Sequence, residues 1–280
     1  METETPFHLA GVIGWPIAHS LSPRLHGAWI QHYEIKGAYV PLAVTPDHLK
    51  DALRALPKLG FRGVNITIPH KTTALDVMDH VDPLALRVGA VNTVVIREDG
   101  SLEGRNTDVF GFCENVCSAG VVAPLRGPAV VLGAGGAARA VVAGLQQLGA
   151  TAIRLVNRSR EKAERLREDL GSEEITCMDL DDLRVAMDGA VMLVNATPLG
   201  MKGHPPLEMD LSALPSSAWV VESVYNPLET GLLRQARARG NPTVDGLGML
   251  IHQARPGFEA WFGLLPEVVP GLRRLLESAL

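Results

Sequence analysis

A glycine-rich turn is the segment whose residue types point most directly to chemistry. It reads Gly133-Ala134-Gly135-Gly136-Ala137-Ala138, after the apolar run Ala129–Leu132 and before a stretch rich in alanine and valine. Gly133 permits a tight turn, Gly135 lets a pyrophosphate approach the backbone, and Ala138 lets a helix pack closely on a strand. The N-terminus of that helix offers unpaired N–H groups and a positive dipole end to phosphates. With a strand before it and a helix after it, the turn predicts a dinucleotide-binding site rather than a purely structural turn.

The end of the next predicted strand indicates which dinucleotide binds. In NAD-binding sites an acidic residue at this place accepts a hydrogen bond from the ribose 2′-hydroxyl. Here the strand Ile153–Val156 is followed by Asn157-Arg158-Ser159, without a carboxylate. Arg158, and Lys162 one helical turn further on, supply cationic donors for a 2′-phosphate. They could instead be ordinary surface cations, although positive charge near a helix N-terminus is slightly unfavourable. The segment therefore favours NADP(H) over NAD(H).

Two segments of the first half place hydroxyl, amide and ammonium groups close together in the sequence. Ser20 and Ser22 lie in a proline-bounded loop before a predicted helix, where they could donate to a carboxylate. Ser22 could instead only cap that helix. Thr67 follows Asn65 at the two-residue spacing that sends both side chains to one face of a strand. That strand ends at a proline, and Lys71, which in a loop is usually solvated, comes just beyond it.

Two further segments place polar side chains at predicted strand ends. Asn92 lies in Gly89-Ala90-Val91-Asn92-Thr93, and Asp108 lies in the segment Gly104–Gly111. Proteins of the α/β class build their binding crevices at such strand ends. Asn-Thr and Asn-Thr-Asp are also ordinary turn sequences. The four segments together, rather than any one of them, indicate a binding site in the first half.

Short apolar runs alternate with helical stretches along both halves of the chain. This alternation predicts an α/β fold with a mostly parallel sheet covered on both faces. In the first half we expect strands at His8–Ile13, Ala38–Val44, Phe61–Ile68 and Ala90–Ile96, and helices at Pro23–Tyr33, Pro46–Leu56 (with Thr45 as N-cap) and Thr72–Met78. In the second half we expect strands at Ala129–Leu132, Ile153–Val156, Val191–Asn195 and Trp219–Val224, and helices at Ala137–Leu148, Arg160–Leu170 and Gly231–Arg239. The length of 280 residues allows one large domain or two, and the renewed alternation in the second half favours two.

Composition limits the class of protein. The net charge of −5 argues against a general nucleic-acid binder. The three cysteines Cys113, Cys117 and Cys177 form no Cys-x-x-Cys pair, so we expect unpaired thiols and no metal site. The acidic start Met1–Glu4 lacks a signal pattern, and no apolar run reaches the length of a membrane span. We therefore expect a cytoplasmic protein that binds neither membranes nor nucleic acids.

In combination and order, the segments described above resemble the shikimate dehydrogenase family, and the resemblance covers essentially the whole chain. The second half adds Asn195–Met201, Val224–Thr230 and Gly246–Ala254 to the glycine turn and to Asn157-Arg158-Ser159. The resemblance implies an NADP-dependent oxidoreductase of the shikimate pathway, which leads to chorismate and the aromatic amino acids. Such enzymes reversibly reduce 3-dehydroshikimate to shikimate, with a hydride passing to or from the nicotinamide.

The resemblance also assigns roles by matched motif. The substrate carboxylate would be held by Ser20, Ser22 and Tyr225, and the ring hydroxyls by Thr67, Asn92 and Gln253. Lys71 and Asp108 would form the catalytic dyad at the reacting carbon, where both contact the substrate and Lys71 handles the proton. The NADP-binding residues would be Gly133, Ala134, Gly135, Gly136, Ala137, Asn157, Arg158, Ser159, Lys162 and Thr197, with Ser223, Gly246 and Met249 beside the nicotinamide. Nearby histidines (His19, His26, His70 and His252) are assigned no catalytic role.

The architecture implied by the resemblance has two α/β domains with a cleft between them. The substrate domain would span residues 1–107 and be completed by residues 246–280, including a helix at Val268–Ala279. A doubly wound Rossmann-type NADP domain would span residues 108–245. The protein would be a monomer or a homodimer that binds a small-molecule substrate.

Two alternatives remain open at this point. A sister enzyme could act on quinate or another cyclohexane carboxylate, sometimes with NAD, although Arg158, Lys162 and the serine pair favour shikimate and NADP. A non-catalytic sensor on the same fold could lose the dyad, whereas this chain retains both dyad residues. Departures from the family pattern are modest: Trp15 stands where an asparagine is frequent, and Glu222 stands where an aspartate is frequent. Neither is an expected ligand.

Overall fold

The structure, a computed structural model, describes residues 7–171 and 173–280. The acidic segment Met1–Glu4 lies outside the described residues. The chain divides into two compact units, the first formed by residues up to Thr107 together with Gln253–Ala279, and the second by Asp108–His252 together with Leu280. The domain limits given above, with residue 246 at the start of the returning segment, stay a prediction.

The first unit is built on a six-stranded sheet in the order β2-β1-β3-β5-β6-β4. Its strands are β1 (His8–Gly14), β2 (Gly37–Ala43), β3 (Phe61–Ile66), β4 (His80–Val81), β5 (Thr93–Ile96) and β6 (Leu102–Arg105). β1 pairs in parallel with β2 and β3, and β4 with β6, whereas β5 runs antiparallel to both β3 and β6. The sheet is thus mixed, because the turn at Gly100, whose φ of 81° favours glycine, folds β5 and β6 into a hairpin.

Of the three helices predicted in this half, the first keeps its length and the other two are shorter, and a further short helix was not predicted. The observed helices are α1 (Ser22–His32), α2 (Leu49–Ala55) and α3 (Pro83–Val88). The predicted helix Thr72–Met78 is a 3₁₀ turn at Thr73–Val77, because so few residues gain little helical cooperativity. The predicted helix Pro46–Leu56 starts with a 3₁₀ turn. Thr45 does not cap it with its side chain and is hydrogen-bonded to His48 Nδ1 at 2.9 Å instead.

The second unit contains a fully parallel six-stranded sheet in the order β12-β11-β10-β7-β8-β9. Its strands are β7 (Ala129–Leu132), β8 (Ile153–Val156), β9 (Ile175–Met178), β10 (Met192–Asn195), β11 (Trp219–Glu222) and β12 (Thr243–Val244). The order reverses at β7, from which the chain proceeds first to β8 and β9 and later to β10. The carboxyl ends of β7 and β10 therefore flank the switch point at which such sheets bind ligands.

Helices cover both faces of this sheet, as the apolar strands predict. They are α4 (Asp108–Ser118), α5 (Gly136–Gln147), α6 (Arg160–Leu170), α7 (Leu183–Met187) and α8 (Gly231–Ala238). Successive residues of β7 point to opposite faces. Val131 packs in a core with Val141 of α5, and Val130 packs in a separate core with Leu233 of α8. A strand buried on both faces needs the continuous apolar run that the sequence has here.

The C-terminal segment contains α9 (Gly246–Phe262) and α10 (Leu272–Glu277). Within the first unit, Trp261 donates from Nε1 to the carbonyl of Val94 at 3.0 Å, and Trp29 donates to the carbonyl of Glu267 at 2.9 Å. α10 is shorter than the predicted Val268–Ala279 because Gly271, with φ of 86°, precedes its first turn. No helix in the described part of the chain is long and apolar enough to cross a membrane.

An aromatic cluster in the first unit encloses His26, which is fully buried. Its ring stacks on Tyr39, with centroids 3.9 Å apart and planes 3° apart, and lies edge-on to Trp29. Neither ring nitrogen has a hydrogen-bond partner among the described residues. Burial lowers the pKa of His26 to about 3, so the imidazole is neutral at physiological pH. The side chain acts as a flat apolar group in this core.

Candidate active site

The glycine turn connects β7 to α5 at the switch point of the second unit. Gly133 has φ of 107°, and its N–H donates to the carbonyl of Val156 at 2.9 Å. A Cβ on Gly133 would lie 3.0 Å from Thr197 Cγ2, so glycine lets the turn approach the loop after β10. A Cβ on Gly135, just before α5, would meet no atom within 4 Å. The space beside Gly135 is open, as a phosphate at the helix N-terminus requires. The neighbouring residues Ala134, Gly136 and Ala137 are half-buried.

The residues predicted to read the 2′-phosphate follow β8. Asn157 donates from its amide to the carbonyl of Ser159 at 2.7 Å, and the Ser159 hydroxyl caps α6 by accepting from the N–H of Lys162. These contacts fix the backbone on which Arg158 and Lys162 stand exposed. Among residues 7–171 and 173–280, neither cation pairs with a carboxylate, whereas Arg160 pairs with Asp179 at 3.2 Å. A cationic pair at this position suits a phosphate dianion.

The loops after β10 and β11 carry the residues predicted to lie at the nicotinamide. A Cβ on Gly246 would lie 2.6 Å from the carbonyl oxygens of both Ser223 and Val224, so only glycine lets α9 start against the end of β11. Met249 is half-buried one turn further along α9. The second unit therefore gathers Thr197 beside Gly133, and Gly246 beside Ser223.

A buried carboxyl group lies behind these loops. Glu222, the last residue of β11, is 1% exposed. Burial raises the pKa of Glu222 to about 7, against the lowering effect of its hydrogen bonds. Glu222 is not among the predicted site residues, since in the sequence it stands out only as a departure from the family pattern. Its position directly before the segment Ser223–Tyr225 was the available signal, but the sequence does not reveal its partners.

The two serines of the first unit lie at the start of α1. α1 begins at Ser22, its N-cap is Leu21, and no side chain caps it. The alternative in which Ser22 caps the helix is therefore wrong. The Ser20 Oγ accepts from the Ser22 N–H at 3.3 Å, which places the two hydroxyl-bearing residues side by side. Ser22 is buried and Ser20 half-buried, as donors to a bound carboxylate would be.

Two predicted substrate ligands meet inside the first unit. Asn92 donates from Nδ2 to Gln253 Oε1 at 3.3 Å, although the two residues are 161 positions apart. The Asn92 Oδ1 accepts from the Thr107 N–H at 2.7 Å, which fixes which end of the amide donates. Asn92 is 1% and Gln253 8% exposed, so both amides are held in a buried polar network.

The same network contains Tyr39 and Asn65. The Tyr39 hydroxyl donates to Asn65 Oδ1 at 2.6 Å, and Asn65 Nδ2 donates to the carbonyl of Asn92 and to Thr93 Oγ1, both at 3.1 Å. Burial raises the pKa of Tyr39, and a hydrogen bond with Ser22 opposes that rise. The network thus extends from Ser22 to Asn92. Tyr39 is missing from the sequence prediction because a tyrosine in an apolar strand carries no motif.

Lys71 and Thr67 lie in the segment after β3, which ends at Ile66 rather than at the predicted Ile68. The Thr67 N–H donates to the carbonyl of Ile13 at 2.9 Å, and the Lys71 carbonyl accepts from the Val91 N–H at 2.8 Å. These bonds anchor the segment to its neighbours in the sheet. Both side chains are half-buried.

The remaining predicted residues, Asp108 and Tyr225, belong to the second unit. Asp108 is the first residue of α4 and is 4% exposed. Tyr225 follows β11 and is half-buried. The predicted substrate ligands are thus divided between the units, six in the first (Ser20, Ser22, Thr67, Lys71, Asn92 and Gln253) and two in the second.

The strand order, the glycine turn and the cations Arg158 and Lys162 define the second unit as a dinucleotide-binding domain of the Rossmann type. It is joined to the first unit, which is also of the α/β class. The family model of the shikimate dehydrogenase substrate-binding domain matches residues 12–94. The family model of shikimate/quinate 5-dehydrogenase matches residues 125–199. The shikimate dehydrogenase (NADP(+)) of Paramagnetospirillum magneticum is 56% identical over 271 residues, covering 96% of this chain and 98% of the relative. The chain belongs to the shikimate dehydrogenase family.

Two solved structures bear on the ligands of the family. Shikimate 5-dehydrogenase from Thermus thermophilus, in complex with NADP(H) and shikimate, is 38% identical with a TM-score of 0.86, covering 98% of this chain and 100% of that one. Quinate dehydrogenase from Corynebacterium glutamicum, in complex with NAD, is 35% identical with a TM-score of 0.89 and the same coverage. The family fold therefore accommodates both substrate types and both dinucleotides.

Proposed function

We propose that this protein catalyses the NADP-dependent reversible reduction of 3-dehydroshikimate to shikimate. The observation that carries the proposal is the buried network that brings the amides of Asn92 and Gln253 together in the same unit as Ser20 and Ser22. It offers hydroxyl donors for a carboxylate and oriented amides for ring hydroxyls. The similarity to the Thermus thermophilus structure with NADP(H) and shikimate supports the same pair of ligands.

The residues of the second unit fit NADP. The open space at Gly135 suits the pyrophosphate, and the exposed pair Arg158 and Lys162 suits the 2′-phosphate. Thr197, Ser223, Gly246 and Met249 would hold the nicotinamide end. When bound, the reduced nicotinamide supplies the hydride. No carboxylate follows β8 to accept from a free 2′-hydroxyl, so the proposal favours NADP over NAD.

Lys71 and Asp108 are proposed as the catalytic pair. As the ketone carbon accepts the hydride, negative charge develops on its oxygen. The Lys71 ammonium stabilises that charge and gives the oxygen a proton, and in the oxidation direction the neutral amine takes the proton back. Asp108 would complete the dyad with Lys71. Ser20, Ser22 and Tyr225 anchor the carboxylate, and Thr67, Asn92 and Gln253 orient the ring so that one carbon is presented for reaction.

The alternative function is quinate oxidation, because the chain is also similar to the quinate dehydrogenase of Corynebacterium glutamicum. The deciding experiment follows nicotinamide absorbance with shikimate or quinate, each with NADP or NAD. We expect the highest kcat/KM with shikimate and NADP. Quinate oxidation with NAD exceeding shikimate oxidation with NADP would replace this proposal with the alternative. No turnover with any combination would support a non-catalytic sensor.

The organisation of the chain forms part of the same proposal. We propose a substrate domain of residues 1–107 completed by 246–280, and an NADP domain of residues 108–245. The division into compact units at Thr107 supports the first limit. A cytoplasmic location is supported by the free thiols of Cys113, Cys117 and Cys177. The oligomeric state is proposed as monomer or homodimer, to be measured by light scattering.

A further inference from the structure

Glu222 is a buried carboxyl group to which the proposed mechanism gives no role. Its Oε1 accepts from Asn195 Nδ2 at 2.8 Å and from the Val224 N–H at 3.0 Å. Its Oε2 accepts from the Thr230 hydroxyl at 3.0 Å. A buried carboxylate is costly unless donors surround it. Here three separate donors do so, each from a different part of the second unit.

The first donor organises the loop after β10. Because the Asn195 amide nitrogen faces Glu222, its Oδ1 faces Thr197 and accepts from the Thr197 N–H at 3.0 Å and hydroxyl at 2.7 Å. The same amide nitrogen donates to the carbonyl of Leu199 at 3.1 Å. The Glu222 carboxylate and the Leu199 carbonyl both accept from this nitrogen, so together they keep the amide oxygen turned toward Thr197.

The second and third donors belong to the chain after β11. The Val224 N–H holds the segment Ser223–Tyr225, which carries one proposed nicotinamide contact and one proposed substrate ligand. Thr230 caps α8 by accepting from the Leu233 N–H at 3.3 Å. Glu222 therefore joins two ligand-bearing loops to each other and to the start of a helix that carries no proposed ligand.

We propose that Glu222 is a positioning residue that holds the loops after β10 and β11 in the geometry required by the nicotinamide end of NADP. This inference rests on the cofactor residues assigned under the proposed function. Glu222 does not touch the cofactor. It acts through Asn195 on Thr197, and through Val224 on Ser223, while Arg158 and Lys162, after β8, lie outside this set of hydrogen bonds.

The test compares two ligands on the whole protein. NADP engages both ends of the cofactor site, whereas adenosine 2′,5′-bisphosphate has no nicotinamide and uses only the end at Arg158 and Lys162. Dissociation constants for both are measured by isothermal titration for the wild type, Glu222→Leu and Glu222→Gln. Thr230→Val is the matched control, because it removes one hydrogen bond to Glu222 that leads only to α8.

The expected result is selective. Glu222→Leu leaves buried donors unsatisfied and should weaken NADP binding about tenfold or more. The dissociation constant of adenosine 2′,5′-bisphosphate should stay within about twofold of the wild-type value. Glu222→Gln should restore most of the affinity, because its Oε1 can still accept from Asn195 and Val224 while its amide donates to Thr230 Oγ1. Thr230→Val should lower the melting temperature and leave both affinities within about twofold.

Three results would overturn the inference: equal weakening of both ligands by Glu222→Leu, no weakening of either, or a loss in Glu222→Gln as large as in Glu222→Leu. If Glu222→Leu does not fold, Asn195→Asp takes its place. Its Oδ1 still accepts from Thr197, whereas its second oxygen can no longer donate to Glu222 or to the carbonyl of Leu199. The same selective loss is expected, and its absence rejects the inference. Failure of the wild type to bind adenosine bisphosphate would instead reject the cofactor assignment itself.

Discussion

The Asn92 amide donates to Gln253 Oε1 at 3.3 Å and thereby ties the C-terminal segment to the sheet of the first unit. This bond orients the Gln253 amide, which suits the proposed role of both residues in holding ring hydroxyls. Replacing Gln253 by alanine should raise the KM for shikimate about tenfold, the typical effect of one lost hydrogen bond whose buried partner stays unpaired. The KM for NADP should stay within about twofold. Steady-state kinetics with each substrate varied in turn will measure both. A parallel rise in the two constants would contradict the substrate role.

Lys71→Ala tests the proposed acid–base step. Loss of a positioned proton donor should lower kcat by about 10²- to 10⁴-fold, with affinity for shikimate largely retained. The matched control is Lys58→Ala, which removes an exposed lysine from the same unit. Turnover equal to the wild type in Lys71→Ala would remove this residue from the mechanism.

Arg158→Ala tests the choice of dinucleotide. A hydrogen bond to a charged group contributes about 1.5–3 kcal/mol, so the KM for NADP should rise about 10- to 100-fold while the KM for NAD stays unchanged. Arg160→Ala is the control, because the Arg160 guanidinium pairs with Asp179 and Glu164. The prediction fails if Arg158→Ala and Arg160→Ala raise the KM for NADP equally.

The pH dependence of folding stability should report on Glu222. Burial raises the pKa of Glu222 from 4.5 to about 7, so between these values the folded protein holds a proton that the unfolded chain has released. Stability from this group is therefore greatest below pH 4.5 and falls as pH rises toward 7. The slope should be about −1.4 kcal/mol per pH unit. Urea unfolding of the wild type and Glu222→Gln at several pH values gives the difference in unfolding free energy. A pH-independent difference would contradict the raised pKa.

Gly248→Ala tests the packing of α9 in the second unit. A Cβ at this position would lie within 3 Å of the Asn115 amide, whose nitrogen donates to the Asp245 carbonyl at 2.9 Å. The clash should destabilise the protein by about 1–3 kcal/mol. In α1, a Cβ on Gly27 would meet no atom within 4 Å, so Gly27→Ala should be neutral or stabilising by up to about 1 kcal/mol. Thermal unfolding of the two variants measures the contrast, and equal melting temperatures would reject the predicted clash.

Local patterns were sufficient for the nucleotide-binding part of the second unit, whereas β9, β12, α4 and α7 were not predicted. An apolar run buried on both faces, a glycine turn and an alanine-rich helix each follow from short sequence windows, and β7 and α5 lie within a residue of their predicted bounds. The first unit was harder to predict. Nothing local shows that β5 pairs with β3 in the antiparallel sense, and the predicted helix Thr72–Met78 is too short for periodicity to separate α from 3₁₀ geometry.

The residues of the candidate site also differ in how far the sequence indicates them. Motif residues such as Ser20, Asn92 and Gly133 could be proposed from the sequence because their neighbours in the chain are distinctive. Tyr39 and Glu222 could not, since their partners Asn65 and Thr230 come from other elements and only folding brings them together. Residues that act by holding other residues have no signature of their own in a single sequence.

The neutral imidazole of His26 lies in the aromatic cluster of the first unit. Its contribution to folding stability changes with pH in the opposite direction to that of Glu222 in the second unit. Because burial lowers the pKa of His26 from 6.5 to about 3, acidification below 6.5 protonates the unfolded chain while the folded core excludes the proton. Stability from His26 is complete above pH 6.5 and is lost as pH falls toward 3. Between pH 4.5 and 6.5 the two groups therefore oppose each other. Within this range, acidification lowers the stabilising contribution of His26 and raises that of Glu222, so the two changes in unfolding free energy partly cancel.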